Sequence, residues 1–135
     1  MNEHPKVGLG VFVIKEGKIL MGKRKSPHGE GTWGLPGGHL EMFETWEECS
    51  RREVLEETGV MIKSIKFGTV TNDIFENESK HYITIFMLSE YCDGEVEILE
   101  PDKFEEWKWM DWDEFPDNLF LPLINLRKID FNPLT

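Results

Sequence analysis

The chain has 135 residues, of which 39% are hydrophobic and 12% aromatic, which is typical of one globular domain that buries a core without disulfides. Its 26 acidic and 15 basic residues give a net charge of −11, which argues against a protein that binds a nucleic-acid backbone. A nucleotide is not excluded, because a bound cation or a local basic cluster reverses the field within one cleft.

The sequence shows no signal for membrane insertion or export. No stretch approaches about 18 consecutive apolar residues, and the first residues lack the basic region, apolar run and cleavage site of a signal peptide. Cys49 and Cys92 are too few for a disulfide framework or a zinc cluster, so we expect reduced thiols. We therefore expect a cytoplasmic protein that contacts neither a membrane nor a nucleic-acid polymer.

Two apolar runs open the chain. Residues 7–14 are nearly all apolar and rich in β-branched side chains, which indicates a buried strand. Glu16 and Gly17 supply a turn, and residues 18–22 return as a second strand. The pattern predicts a β-hairpin.

A basic triplet, residues 23–25, and a glycine-rich segment follow the hairpin. The triplet either holds substrate phosphates or solvates the strand end, and Arg24 is its strongest candidate for a substrate contact. In the glycine-rich segment, Gly37 and Gly38 allow the backbone to approach a cation closely, although an ordinary Gly-Gly turn fits these residues too.

The next segment carries the start and stop signals of a helix. Thr45 followed by Glu48 forms a capping box, and Gly59 suits the left-handed position that closes a helix. These signals predict a helix over Trp46–Thr58.

Three carboxylates project from one face of this helix. Glu53, Glu56 and Glu57 stand at relative positions 0, 3 and 4, so their like charges repel unless something neutralises them. A hard divalent cation such as Mg²⁺, shared with substrate phosphates, would do so. The alternative is a solvated acidic face.

The middle of the chain contains two further strand-like runs, residues 61–71 and 81–88, separated by a polar loop. Glu76 and Glu78 in that loop are additional carboxylates or, more simply, solvated side chains. His81 is either a contact for a base or phosphate or a structural histidine.

Alternating patterns continue towards the C-terminus. Residues 95–99 and 107–112 alternate polar and apolar side chains as strands do, and Glu105, just before the second run, is a candidate general base or metal ligand. A helix is expected to begin near Pro122. Together these elements predict a single α/β domain over residues 1–135, in which a mixed sheet carries a helix on each face.

The segment from Gly38 to Val60 resembles the nudix box, the motif of the nudix hydrolase family. The residues that match its fixed positions are Gly38, Glu44, Arg52, Glu53, Val54, Glu56, Glu57, Gly59 and Val60. This resemblance implies a nudix-type α/β/α sandwich that splits a diphosphate linked to another moiety, with Mg²⁺, or Mn²⁺ as a substitute, as its cofactor.

The resemblance also implies roles for individual residues. It assigns the metal to Glu53, Glu56, Glu57 and the carbonyl of Gly37, and Arg52 with Glu44 becomes a supporting ion pair. Glu53 or Glu56 is the expected general base. Because clustered carboxylates titrate together, that choice stays open.

Outside the box, segments such as LPGGHLE, HYITIFM and EPDKFEEWKWMDWDEFP resemble the nucleotide-triphosphate diphosphatase (MutT-like) subfamily that includes the human thiopurine-nucleotide hydrolase. This implies a homodimer that sanitises the nucleotide pool by converting nucleoside triphosphates, oxidised or modified ones among them, to monophosphates and pyrophosphate. Phe120 would lie by the base, with Leu35 and His39 lining the same pocket. The LPLINL insertion after Phe120 leaves core packing as the alternative for that ring.

Two other functions remain open at this point. One is another nudix activity, on ADP-ribose, NADH or a nucleotide sugar. The other is a nudix-fold domain that senses a nucleotide without turnover. Such domains usually lose box carboxylates, whereas Glu53, Glu56 and Glu57 are all present here.

Overall fold

The chain forms one mixed β-sheet covered by a helix on each face. The structure is a computed structural model that describes residues 3–135. In that range the strands are β1 (Lys6–Lys15), β2 (Lys18–Arg24), β3 (Trp33–Gly34), β4 (Gly37–His39), β5 (Met61–Phe75), β6 (Lys80–Asp93) and β7 (Phe104–Asp111). The α-helices described there are α1 (Trp46–Thr58) and α2 (Leu121–Lys128).

The sheet is organised around β1. One edge of β1 pairs in parallel with β6, in a register that runs from Lys6↔Tyr82 to Ile14↔Glu90. On the other edge, the first half of β1 pairs with β4 and the last residues pair with β2, both antiparallel. The strand β5 extends the sheet beyond β6, while β3 and β7 pair with β2. This path confirms the predicted hairpin and the mixed sheet.

The two helices cover opposite faces of the sheet because side chains along each strand alternate between the faces. Beneath α1 lie two apolar clusters, which contain Leu9, Val11 and Val13 of β1 with Cys49 and Val54 of the helix. The opposite face buries Phe12, Ile19, Met21, Phe86, Leu123 and Leu126, the last two from α2. The predicted α/β sandwich is therefore confirmed.

Local signals determine where α1 begins and ends. Thr45 and Glu48 form the complete capping box, with hydrogen bonds of 3.0 Å and 2.8 Å between side chain and backbone. Gly59 closes the helix in the left-handed conformation, and its N–H donates to the Leu55 carbonyl. The helix prediction is confirmed at both ends. The helix α2 begins at Leu121, with Pro122 in its first turn.

Two predictions of secondary structure were wrong. The polar loop expected after residue 71 is shorter, because β5 continues to Phe75 and only a tight turn at Glu76–Glu78 separates it from β6. Residues 95–99 do not form a strand. Instead the Glu97 N–H donates to the carbonyl of Thr58 at the end of α1. The segment thus forms hydrogen bonds with the end of a helix and does not pair with a strand.

Cys49 is buried and Cys92 exposed, and both are free thiols, as predicted. Within residues 3–135, neither α-helix has the length and hydrophobicity needed to cross a membrane.

Candidate functional site

A cavity of about 650 Å³ opens at the side of the sheet where β4 joins β1. Two groups of residues line it. We call Gly37, Glu53, Glu56 and Glu57 the acidic end, and His28, Phe75, Tyr82 and Phe120 the aromatic end. The cavity thus joins a group of oxygen ligands to a group of flat rings.

At the acidic end, α1 packs closely against β4. The Gly37 N–H donates a 2.9 Å hydrogen bond to the Glu57 carboxylate. A Cβ atom on Gly37 would overlap the Leu9 carbonyl, and one on Gly38 would overlap the Glu53 carboxylate. Gly37 therefore allows β4 to lie close to β1, and Gly38 leaves room for the Glu53 carboxylate beside the backbone.

Arg52 holds the carboxylates of the acidic end in position. Its guanidinium makes a two-pronged contact with Glu44, with Nε–Oε2 and Nη2–Oε1 distances of 2.6 Å and 3.0 Å. Through Nη1 it also donates to Glu53 at 2.5 Å and to Glu56 at 2.8 Å. A further hydrogen bond of 3.1 Å from Nη2 reaches the carbonyl of His39. The predicted ion pair between Arg52 and Glu44 is present in the structure.

Burial destabilises the charged forms of two of these carboxylates. Glu57 is 2% exposed and Glu53 9% exposed. Burial raises the pKa of Glu57 well above its ordinary value of 4.5, and repulsion from Glu53 adds to the effect. It also raises the pKa of Glu53, although the hydrogen bond from Arg52 opposes that rise. A nearby cation would favour the charged form of both groups.

Within residues 3–135, no three His, Cys, Asp or Glu side chains converge into a ready-made metal cluster. Glu53 and Glu56 instead accept hydrogen bonds from Nη1 of Arg52. The donor set still fits a hard divalent cation. The buried Glu57 carboxylate has Gly37 N–H as its one hydrogen-bond donor among the described residues, and carboxylate and carbonyl oxygens are the ligands Mg²⁺ prefers.

The aromatic end surrounds a histidine with rings. The imidazole of His28 lies 4.5 Å from Phe75, 5.2 Å from Tyr82 and 5.1 Å from Phe120, measured between ring centroids. The guanidinium of Arg24 lies over the Phe120 ring, 4.0 Å from its centroid. Such a surface, with flat rings and a cation, suits a planar ligand.

All four predicted substrate-binding residues line the cavity: Arg24, Leu35, His39 and Phe120. Leu35 is buried, whereas His39 is exposed and shares a 3.0 Å hydrogen bond between its Nε2 and the Tyr82 hydroxyl. Phe120 is half-buried, so it lies at the cavity surface and not wholly within the core.

Glu105 is not among the described residues that line the cavity. Its carboxylate lies 3.6 Å from the ammonium group of Lys23. Side chains alternate along β2 and β7, so Arg24 and Phe104 line the cavity whereas Lys23 and Glu105 do not. The structure therefore does not bring Glu105 to the metal ligands. His81 is also absent from that lining and contacts Asn72.

Sequence reasoning missed several cavity residues: His28, Phe75, Lys80, Tyr82 and Lys103. One signal was available for β6, where Tyr82, Thr84 and Phe86 alternate and all line the cavity. His28 carried no comparable signal, because it lies in a loop whose position depends on distant contacts.

Comparison with known proteins agrees with this geometry. The family model described as NUDIX domain matches residues 4–129. An oxidized purine nucleoside triphosphate hydrolase from Danio rerio is 31% identical over 126 residues, which cover 87% of this chain and 78% of the relative. An ADP-ribose pyrophosphatase from Methanocaldococcus jannaschii is 32% identical over 117 residues, covering 87% and 68%.

A solved structure shows the same fold. The MutT NUDIX hydrolase from Burkholderia pseudomallei superposes with a TM-score of 0.85 at 32% identity, covering 94% of this chain and 99% of its own. The family match spans nearly the whole chain and includes α1 with its carboxylates. The chain belongs to the NUDIX family and is a hydrolase of diphosphate bonds.

Proposed function

We propose that this enzyme hydrolyses nucleoside triphosphates, oxidised or otherwise modified ones among them, to nucleoside monophosphate and pyrophosphate. The observation that carries the proposal is the joining of the acidic end and the aromatic end in one cavity. A volume of about 650 Å³ lies within the usual range for small-ligand sites. The similarity to a hydrolase of oxidized purine nucleoside triphosphates supports the same substrate class.

Cationic side chains along the cavity support a phosphate-bearing substrate. Arg24, Lys80 and Lys103 all belong to the lining of a protein whose net charge is −11. They supply local positive charge at the cavity, which offsets the repulsion between a triphosphate and the carboxylates. Arg24 was the predicted member of this group.

Mg²⁺, or Mn²⁺ in its place, would be held by Glu53, Glu56, Glu57 and the Gly37 carbonyl, and would supply neutralisation of charge on the phosphate oxygens. The protein's own side chains position and deprotonate the attacking water. Glu53 or Glu56 orients a water molecule and accepts its proton.

Arg52 and Glu44 position these carboxylates. Arg52 reaches Glu53 and Glu56 from one nitrogen while Glu44 fixes the other side of the guanidinium, so the spacing of the carboxylates depends on this pair. We propose them as positioning residues for the catalytic carboxylates.

Product analysis tests the proposal. Purified protein with Mg²⁺ is incubated with canonical and oxidised dNTPs, ADP-ribose, NADH and a nucleotide sugar, with the Glu57→Gln variant as control. Monophosphate and pyrophosphate from the triphosphates are expected. Cleavage of ADP-ribose or NADH alone would overturn the substrate class, and no turnover of any substrate would favour a sensing domain.

ADP-ribose hydrolysis is the second candidate. The similarity to the Methanocaldococcus jannaschii ADP-ribose pyrophosphatase favours it, and the same acidic end serves either reaction. Competition between ADP-ribose and dGTP in the assay above ranks the two candidates directly.

We also propose a homodimer, which the resemblance to the nucleotide-triphosphate diphosphatase subfamily supports, and a location in the cytoplasm. Sedimentation equilibrium across a range of protein concentrations tests the dimer. A monomer at every concentration would contradict it.

A further inference from the structure

We propose that Glu78 is a positioning residue that fixes the proton of His28 on Nδ1, so that His28 Nε2 offers a hydrogen-bond acceptor to an N–H group of the substrate base. This inference rests on the proposed function and deepens it, because it assigns the aromatic end a chemical preference. The preferred base carries an amine or lactam N–H on the edge that enters the cavity.

The contact between Glu78 and His28 determines which nitrogen carries the proton. Oε1 of Glu78 lies 2.5 Å from Nδ1 of His28. An ionised carboxylate only accepts hydrogen bonds, so Nδ1 must be the donor. The second oxygen, Oε2, accepts the Gly29 N–H at 3.3 Å. Both oxygens of Glu78 therefore hold the same short loop.

The opposite nitrogen of the ring remains available to a ligand. Among the described residues, Nε2 of His28 makes no hydrogen bond, and His28 lines the cavity. Phe75, Tyr82 and Phe120 restrict the tilt of the ring from three sides. A neutral imidazole with its proton on Nδ1 presents a lone pair at Nε2.

The charged and titratable groups around His28 favour the neutral ring. Burial lowers the pKa of His28 below 6.5, and the positive charges of Arg24 on β2 and Lys80 on β6 act in the same direction. Glu78 in the turn opposes them. Tyr82 packs on the ring, and burial raises its pKa, so it stays neutral too.

The same contact also supports Arg24. The carbonyl of His28 accepts a 2.9 Å hydrogen bond from Nε of Arg24, whose guanidinium lies over Phe120. Glu78 thus positions His28 and Arg24 through one loop, although it lies in the turn between β5 and β6.

The first test measures the tautomer in the free protein. ¹⁵N NMR of the His28 ring, assigned by comparison with His28→Gln, is expected to show a protonated Nδ1 and an unprotonated Nε2 at pH 7.5. In Glu78→Gln the amide can donate to Nδ1, so the Nε2–H form should gain population. A wild-type ring protonated on Nε2 would overturn the proposal.

The second test measures base recognition. We expect Glu78→Gln to raise KM for dGTP or dATP about five- to tenfold with little change in kcat, because one hydrogen bond is lost. KM for 2′-deoxynebularine triphosphate, whose purine has no N–H donor, and for inorganic tripolyphosphate should not change. Glu76→Gln, in the same turn but exposed, is the matched control.

The outcomes separate this inference from the proposed function. An unchanged KM for dGTP in Glu78→Gln, or an equal rise for all four substrates, would overturn base recognition through His28. A wild-type protein that cleaves no triphosphate would overturn the proposed function and the base contact together. The tautomer assignment would then be judged by the NMR result alone.

Discussion

The two ends of the cavity are built in opposite ways. The acidic end comes from one continuous segment, in which Gly37 contacts Glu57 of α1. Arg52 of the same helix, paired with Glu44, holds the other carboxylates in position. The aromatic end combines separate segments, because His28 lies in the loop after β2, Phe75 ends β5, Tyr82 lies in β6 and Phe120 precedes α2. The first end is a local structure, and the second exists only in the complete fold.

The two ends should therefore tolerate substitution differently. A substitution at the acidic end removes a group that the chemistry itself needs, so it should affect kcat. A substitution at the aromatic end alters a surface shared by several rings, so it should affect KM by a smaller factor.

Glu57→Gln should lower kcat about 100- to 1,000-fold, because it removes the charge of a buried oxygen ligand. Steady-state kinetics with saturating Mg²⁺ measure this, and circular dichroism checks that the variant folds. Glu47→Gln, on the exposed first turn of α1, is the control. Full Mg²⁺-dependent turnover in a folded Glu57→Gln protein would refute the ligand assignment.

Glu44→Gln should lower kcat about tenfold, since Arg52 loses the charge of its two-pronged partner and holds Glu53 and Glu56 less firmly. It should also change the response of stability to acid. Hydrogen bonds from Arg52 lower the pKa of Glu44 from 4.5 to about 2, so its ionised form stabilises the fold above pH 4.5. That contribution is lost as the pH falls from about 4.5 towards 2.

Urea unfolding at pH 7 and at a series of lower pH values tests the second part of this prediction. The difference in the free energy of unfolding between wild type and Glu44→Gln should shrink as the pH falls through this window. A constant difference would show that the ion pair is not the source of the effect.

Phe120→Ala should raise KM for nucleoside triphosphates about two- to tenfold, because an aromatic contact with the base is lost. Inorganic tripolyphosphate has no base, so its KM should stay the same. Equal losses on both substrates would assign Phe120 to core packing and would remove the distinction between the two ends at this position.

Phe43→Gly should leave kcat unchanged and raise the free energy of unfolding by about 1 kcal/mol. Phe43 lies in the loop before α1 with a φ of 66° and is 98% exposed, so its side chain adds strain without packing. Met42→Gly is the control, since Met42 lies outside the left-handed region and should lose stability. Thermal unfolding compares the two, and a less stable Phe43→Gly protein would contradict the prediction.

Most of the fold could be predicted from local patterns. The capping box and Gly59 predicted the two ends of α1, and apolar runs predicted β1, β2 and the core of β6. Residues 95–99 were assigned wrongly because alternation does not reveal the partner of a backbone N–H, which here is a helix carbonyl. The continuation of β5 was missed because Asp73 is polar and was expected in a loop. It is buried in the strand, where its carboxylate accepts hydrogen bonds from Thr71, Thr84 and Asn125.

The acidic end was equally predictable, since helical spacing places Glu53, Glu56 and Glu57 on one face. The aromatic end was not. Tyr82 reaches the cavity through its register with Lys6, and Glu78 reaches His28 across a turn that the sequence assigned to solvent. The position of Glu105 also depends on strand pairing. The register of β7 against β2 shifts between Lys23 and Arg24, which leaves Glu105 without a paired residue in β2.

The parallel pairing of β1 with β6 has a further consequence for the order of folding. Lys6 pairs with Tyr82, so closing this pair requires a long loop, whereas α1 and the β1–β2 hairpin need only local contacts. During synthesis the box helix can therefore form before the chain contains any of β6. A nascent chain at that stage would carry the carboxylates of the acidic end without a place for the base, and we expect selectivity to arise only when the second half of the sheet has docked.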